Sequence, residues 1–486
     1  MPVSFSPSPD DLLRFLPETV LIIAGTLMML LDPFLSAKKP KFFGHISLVA
    51  FVIALFAAVA ANGVQGPAFS NLLIVDGFAT YFRILVIMIG IFAVFSSYHY
   101  LDREKAETSE YHALLLFSVA GQGIMVASND LIMIFIGLEI SSIASYVLAG
   151  YLRHDRRNNE AALKYFLLGS FATGFLLYGV ALIYGITGST KLNEIQTAMA
   201  APNASLMMAG IAAALMIVGL AFKVSGAPFQ MWAPDVYQGA PAPVSAFLAT
   251  APKAAAFAIF LRIFMTGFQQ ISASWEPILW VMSLASMCVG NFAALTQKNV
   301  KRMLGYSSIA HAGYILVALT SRSEIGTTAA MFYLAAYALM NIGAFAVVIH
   351  LGGKGEKYVR IDDLAGLAKK QPFTAAMLTI FLLSLIGVPL TGGFFGKFYI
   401  FRAAIESNLT WLTILGLLNS AVAAYYYLRL LVVMYMHEPG EATTALEPLT
   451  PGLRTALVLP AIGTLLLGVV PNFVLGFARD GSMLGK

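Results

Sequence analysis

Gly219-Leu-Ala-Phe-Lys223-Val-Ser-Gly-Ala-Pro228 closes an apolar run that begins near residue 206. The run is long enough to cross a bilayer as a helix, yet it ends on a lysine followed closely by a proline. Pro228 has no N–H and clashes with the carbonyl of Val224, so the helix must break just past the lysine. Backbone freed in this way is tolerated at membrane depth only where protein or water satisfies it. A lysine beside a broken helix therefore points to a helical membrane protein with a polar interior.

The rest of the chain reads the same way. Of 486 residues, 59% are hydrophobic and 11% charged, whereas a soluble domain has about 25% charged residues. The apolar stretches are unbroken rather than alternating with period two, which excludes a barrel. By run length there are about fourteen spans, near 15–33, 42–61, 77–98, 112–128, 131–151, 162–186, 206–226, 242–266, 277–296, 302–320, 327–350, 372–391, 410–435 and 455–477. The seventh and twelfth continue past Gly/Pro breaks to about 237 and 405, which predicts two half-helices in each. The single cysteine, Cys288, excludes a disulfide framework, a cysteine-ligated cluster and a structural zinc site. The N-terminal residues lack a basic n-region, so the first run is expected to be a true span and not a signal peptide.

The net charge of +5 forms no single patch, so a nucleic-acid partner is not expected. It follows topology instead. Odd connections carry Lys38, Lys39, Lys41; Arg103, Lys105; Arg153, Arg156, Arg157; Lys298, Lys301, Arg302; and Lys354, Lys357, Arg360, Lys369, Lys370. Even connections carry little beyond Lys191 and Arg322. The positive-inside rule then places the odd connections in the cytoplasm and both termini on the other side. Ser141-Ser-Ile-Ala144 recurs as Ser307-Ser-Ile-Ala310, and the break at Gly226/Pro228 recurs at Gly387/Pro389, both about 165 residues on. An odd five spans per unit forces two inverted repeats. The expected organisation is a three-helix segment (1–111), a first repeat (112–270), a second, inverted repeat (271–436) and a C-terminal helix (437–486).

Glu139, Lys223, Lys253, His311 and Lys397 lie well inside apolar runs. Together such charges would cost on the order of 10 kcal/mol on insertion scales, a cost that persists only if they pair or line a hydrated path. Ser142 lies one turn after Glu139 and can solvate its carboxylate. Lys397 follows the second break, where Pro389 removes a helical bond and Gly392, Gly393 and Gly396 relax the backbone. Lys253 is too deep in its span to snorkel easily, whereas Lys164, near the start of its span, can reach the interface. His311 can be a satisfied hydrogen-bonder or a relay. Arg83, Arg262, Arg402 and Arg429 read as structural, because a guanidinium that never deprotonates is a poor carrier. A lysine, whose affinity for a proton responds to burial and to a nearby carboxylate, can bind and release one.

These residues carry a resemblance. Gly137-Leu-Glu-Ile-Ser-Ser142, Phe222-Lys-Val-Ser-Gly-Ala-Pro-Phe-Gln-Met-Trp-Ala-Pro-Asp-Val-Tyr-Gln-Gly-Ala-Pro241, Lys301-Arg-Met-Leu-Gly-Tyr-Ser-Ser-Ile-Ala-His-Ala-Gly-Tyr314 and Gly387-Val-Pro-Leu-Thr-Gly-Gly-Phe-Phe-Gly-Lys397 closely resemble the subunit N family of proton-pumping NADH–quinone oxidoreductase (respiratory complex I). The likeness covers essentially the whole chain. It implies an all-α, fourteen-helix fold with two inverted five-helix repeats and broken helices 7 and 12. It matches Glu139, Lys164, Lys223, Lys253 and Lys397 to the family's proton-relay glutamate and lysines, and places His311 in the relay region. It also implies a translocase subunit with no redox centre of its own, since NADH, FMN, iron–sulfur clusters and quinone belong to other subunits. The implied partners are other membrane-arm subunits, including antiporter-like ones, in a bacterial inner membrane. Lys397 stands where the middle-sized sister subunit typically has glutamate, and no lateral helix of the kind that marks the largest one follows the last span.

Two other readings remain. A cation/proton antiporter or membrane-bound hydrogenase subunit shares the fold, but a sodium site wants several oxygen ligands, and only Glu139 among the deep charges is a carboxylate. A purely structural scaffold would leave the buried charges as unexplained cost. There is no phosphate-binding glycine turn after a strand, and the seven histidines are scattered in sequence.

Overall fold

The computed structural model describes residues 7–35, 41–106, 108–202 and 204–482. In chain order the crossings begin with α1 (Leu16–Leu35), α2 (Phe42–Ala61), α3 (Gly77–Glu104), α4 (Ser109–Ala127), α5 (Leu131–Ala149) and α6 (Arg156–Thr187). Next come α7, split into α7a (Leu206–Val224) and α7b (Trp232–Gly239), and α8, split into α8a (Ala242–Leu248) and α8b (Ala251–Arg262). Then follow α9 (Ser272–Leu295), α10 (Val300–Thr320) and α11 (Glu324–Leu351). Last are α12, split into α12a (Pro372–Ile386) and α12b (Gly392–Glu406), α13 (Thr410–Met436) and α14 (Pro451–Val469).

Twelve of these are long and apolar enough to cross a membrane by themselves. The other two are α4, whose Glu110, His112 and Gln122 make it more polar, and α12, which is cut in two; twelve and two make the expected fourteen. Several boundaries differ from the sequence reading: the third run continues to Glu104 and the sixth begins at Arg156. The final run stops at Val469, where Pro471 ends it, and a short helix, Asn472–Gly481, follows. The eighth run is interrupted at Thr250 (φ −124°, ψ −73°), just before Pro252, which cannot supply a helical N–H.

Connections gather on two faces. On the basic face, Lys41 pairs with Asp102 (3.7 Å), Arg153 with Glu110 (3.5 Å) and Lys369 with Glu438 (2.6 Å). Here the Arg157 guanidinium also holds the carboxyl of Asp155 below the usual carboxylate range through a direct hydrogen bond. Lys38 and Lys39, assigned to this face by charge, lie outside the described residues. On the opposite face, β1 (Gly66–Ala68) and β2 (Leu73–Val75) form a small hairpin, Arg262 grips Asp76 (2.9 Å) and Arg322 pairs with Glu276 (2.8 Å).

The repeat is visible in the backbone. Asp130 bridges Lys191 and Asn299 bridges Arg360, and both partners are displaced by the same 169 residues. Asp130 caps α5 and Asn299 caps α10 in the same way. Gly121 of α4 meets the backbone of Gly137 and Ser141, while Gly290, again 169 on, meets that of Tyr306 and Ala310. The first bridge lies beside the hairpin, since Ser128 pairs with Leu73. The second lies on the basic face, so the units are inverted. The repeated Ser-Ser-Ile-Ala motif is offset by 166 residues, three short of this register. Structurally, therefore, Ser142 matches His311.

Helices α8, α10 and α11 form the buried centre, while α1, α2, α6 and α13 turn Phe34, Phe56, Phe171 and Trp411 outward. Outward apolar side chains are compatible with a surrounding of lipid.

Candidate functional site

Each broken helix presents a lysine at its cut end. α7a stops at Val224, and Ser225 turns left-handed (φ +61°). The carbonyl of Phe222 accepts from Trp232 Nε1 (2.8 Å), and the Ala227 N–H donates to Ser286 Oγ (2.8 Å). The break is thus satisfied by protein groups, as an interruption in a membrane helix requires. Lys223, in the last turn of α7a, donates from Nζ to Ser142 Oγ (2.6 Å) and Tyr146 OH (3.2 Å) and lies over the rings of Tyr146 and Tyr165. Tyr165 stacks flat on Trp232, with ring centroids 4.4 Å apart.

The second break follows the same physics from the other side. α12a ends at Gly387 (φ +93°), a conformation that glycine adopts without a Cβ penalty. Lys397 lies in α12b and reaches back to the carbonyls of Leu385 (3.1 Å) and Ile386 (2.8 Å) and to Ser420 Oγ (2.8 Å). Both ammonium groups thereby sit at the C-terminal, partially negative end of a half-helix. Beside Lys397 a cleft of about 520 Å³ opens between α12b and α13, lined by Phe394, Phe398, Leu417 and Ser420.

Between the breaks lie Lys253 and His311. Lys253 is 1% exposed near the N-terminus of α8b and donates to the carbonyl of Ser308 (2.9 Å) and to its hydroxyl. His311 contacts Tyr333 OH through Nδ1 (2.6 Å) and Tyr427 OH through Nε2 (3.1 Å). Tyr427 also bonds Ser307. Lys253 lies 6.0 Å from the Tyr337 ring, Tyr337 and His311 are 5.1 Å apart between centroids, His311 and Tyr314 5.7 Å, and Lys397 sits 4.8 Å from the Tyr314 ring. A row of polar side chains is therefore contiguous by contact from Lys253 to Lys397, though not by hydrogen bonds alone.

Glu139 is half-buried on α5, and its Oε1 is shielded without a hydrogen-bond partner. Among the described residues it forms no ion pair, and Ser142, expected to solvate it, instead accepts from Lys223. Lys164 stands apart. Its side chain is 42% exposed and pairs with Glu160 (2.7 Å) and Asp235 (2.9 Å), the latter shared with Arg302 (2.6 Å). Arg83 is structural as read, gripping Glu18 deep between α1 and α3 (2.9 Å).

Sequence reasoning missed the hydroxyl partners Tyr146, Ser308, Tyr333, Tyr427 and Ser420, and the ring of Tyr337. Nothing in their spacing sets them apart from other serines and tyrosines in apolar runs. The cut in α8 did have a signal in Pro252. The histidines are less scattered than they read, since the rings of His99 and His350 lie 6.4 Å apart near the basic face. Among the described residues, no three His, Cys, Asp or Glu side chains gather to hold a metal ion.

Residues 128–423 match the family described as "NADH:quinone oxidoreductase/Mrp antiporter, TM". The chain is 68% identical to "NADH-quinone oxidoreductase subunit N 1" of Solibacter usitatus (strain Ellin6076), over 99% of each chain. Its structure is similar to a chain of respiratory complex I from Thermus thermophilus with bound aureothin (TM-score 0.82, 35% identity, 95% of this chain and 99% of that one). It is also similar to a chain of the Mrp complex from Dietzia sp. DQ12-45-1b (TM-score 0.83, 97% of both chains), where 21% identity shows a shared fold alone.

Proposed function

The chain belongs to the subunit N group of the NADH:quinone oxidoreductase/Mrp antiporter family, and on that premise we propose that it carries protons across an energy-coupling membrane as a membrane-arm subunit of an NADH–quinone oxidoreductase. The relay runs from Glu139 through Lys223, Lys253 and His311 to Lys397, with Lys164 at its rim. The two repeats, 112–270 and 271–436, each supply one broken helix and its lysine, flanked by segments 1–111 and 437–486. The basic face is cytoplasmic in a bacterial inner membrane, with both termini opposite. NADH, FMN, iron–sulfur clusters and quinone are held by other subunits, and other antiporter-like subunits lie alongside.

The observation that carries this reading is the contiguous polar row from Lys253 to Lys397. The ammonium groups of Lys253 and Lys397 in this row, and of Lys223 beside it, rest on hydroxyls and carbonyls, not on carboxylates. A neutral acceptor is not left as a bare buried charge when the proton departs, whereas a broken ion pair leaves one at a cost of about 3–5 kcal/mol. Lysines held in this way can load and unload.

The test is Lys223→Ala in the native host. Membrane complexes are resolved on a native gel stained for NADH oxidation, and the same vesicles are assayed for quinone reduction and proton uptake. The expected result is a stained complex containing the chain, with electron transfer and proton uptake lost together. Migration apart from all NADH-oxidising activity would instead favour the antiporter. An assembled mutant that pumps normally would make Lys223 structural.

A further inference from the structure

The contiguous row has a gap on one side. Among the described residues no hydrogen bond joins Lys223, which faces α5, to Lys253, which faces α10. We infer that the hydroxyls of Ser225 and Tyr237 carry the proton across this gap, an inference that rests on the relay proposed above.

Ser225 is unusual in two independent ways. It closes α7a at φ +61°, where a side chain costs about 1–2 kcal/mol relative to glycine. The other break, at Gly387, uses glycine at the corresponding turn. Among the described residues, the fully buried Ser225 hydroxyl also makes no close hydrogen bond, although Tyr237 faces it. A buried hydroxyl left in that state costs about 1–3 kcal/mol. Neither feature helps the fold. Both are accounted for if this hydroxyl is needed where it stands.

Tyr237 supplies the other half. It lies on α7b, fully buried, with its ring edge-on to Trp232 (5.8 Å) and packed over Gly305 of α10. Its hydroxyl makes one long bond, to the carbonyl of Leu248 (3.4 Å) at the cut in α8, and faces the side chains of Ser225 and Ser308. Ser308 in turn holds Lys253. Three hydroxyls from α7, α7b and α10 thus lie in sequence between the first break and Lys253. A weakly held phenol can rotate between two acceptors, which a relay needs.

The transfer balances without leaving charge on the hydroxyls. Lys223 turns from Ser142 and gives a proton to the Ser225 oxygen, directly or through one water, as Ser225 passes its own to the Tyr237 oxygen. Tyr237 releases its phenolic proton to Ser308, and Ser308 releases its own to the neutral amine of Lys253. Each hydroxyl gains one proton and loses one. Lys223 ends neutral and Lys253 ends as an ammonium.

Ser225→Gly separates this role from a structural one, because glycine relaxes the backbone while removing the hydroxyl. The variant is made in the native complex beside Tyr237→Phe, with Lys223→Ala as reference. Expected are assembled complexes in both, with NADH-driven proton uptake slowed roughly ten-fold or more, given that a positioned proton-transfer group typically contributes 10²–10⁴-fold. If Ser225→Gly and Tyr237→Phe pump normally while Lys223→Ala does not, the inference is overturned and the relay stands. If Lys223→Ala also pumps normally, the relay reading fails and takes the inference with it. Should Tyr237→Phe not assemble, Ser225→Gly alone decides.

Discussion

His311 holds a phenol at each ring nitrogen, Tyr333 at Nδ1 and Tyr427 at Nε2. A neutral imidazole has one N–H and one lone pair, so one tyrosine must accept and the other donate. The residue is therefore satisfied, and its two bonds run in one direction, as the proposed relay requires. His311→Phe keeps a ring against Tyr314, Tyr333 and Tyr337 but strands the Tyr333 hydroxyl, while Tyr427 keeps its bond to Ser307. We expect a stability loss of about 1–3 kcal/mol for the hydroxyl left unpaired, measured as thermal stability of the purified complex, together with loss of proton uptake. Tyr427→Phe strands both Nε2 and the Ser307 hydroxyl and should cost at least as much. Normal uptake in His311→Phe would return the histidine to a packing role. Glu139 differs in kind, since its shielded oxygen has no hydrogen-bond partner among the described residues.

At the scale of elements, the half-helix is what the proposed relay rests on. A proline or glycine cut creates a C-terminal end, and the unpaired carbonyls there welcome a cation. Positioning those ends depends on close helix contact. At Gly290 an added Cβ would sit 2.5 Å from the backbone nitrogen of Ala310, next to His311. Backbone cannot yield as a flexible side chain can, so Gly290→Ala should push α9 off α10. The expected outcome is a complex that is less stable by about 1–3 kcal/mol, as for other overpacked interiors, and that pumps more slowly. Unchanged thermal stability and uptake would mean that the two helices are free to part.

For the whole molecule, the two-faced arrangement of connections makes a topological prediction. Cys288 is the single cysteine, so Cys288→Ser gives a background for site-directed labelling. Cysteines placed at Lys105 and Lys354 should react from one side of the membrane, and those placed at Gln65 and Asn408 from the other. If the basic face is cytoplasmic, as proposed from the positive-inside rule, an impermeant reagent should reach only the second pair in intact cells. Lys105 and Lys354 labelling from different sides would break the alternation of spans, and labelling of that pair in intact cells would reverse the orientation.

The span count, the breaks in α7 and α12, the two faces and the buried lysines were legible in the sequence. Each leaves a mark that lipid enforces locally: an apolar run of bilayer length, a proline within it, or a charge that hydrocarbon does not tolerate. The register of the repeat was misread by three residues, because a four-residue motif slides by a turn without changing face. Only the tertiary structure decided which hydroxyl meets which charge: Ser142 on Lys223 rather than Glu139, Ser308 on Lys253, and two tyrosines on His311. Serine and tyrosine cost little in a span and so leave no mark in composition or period. Their pairing is fixed by inter-helix packing between residues distant in the chain.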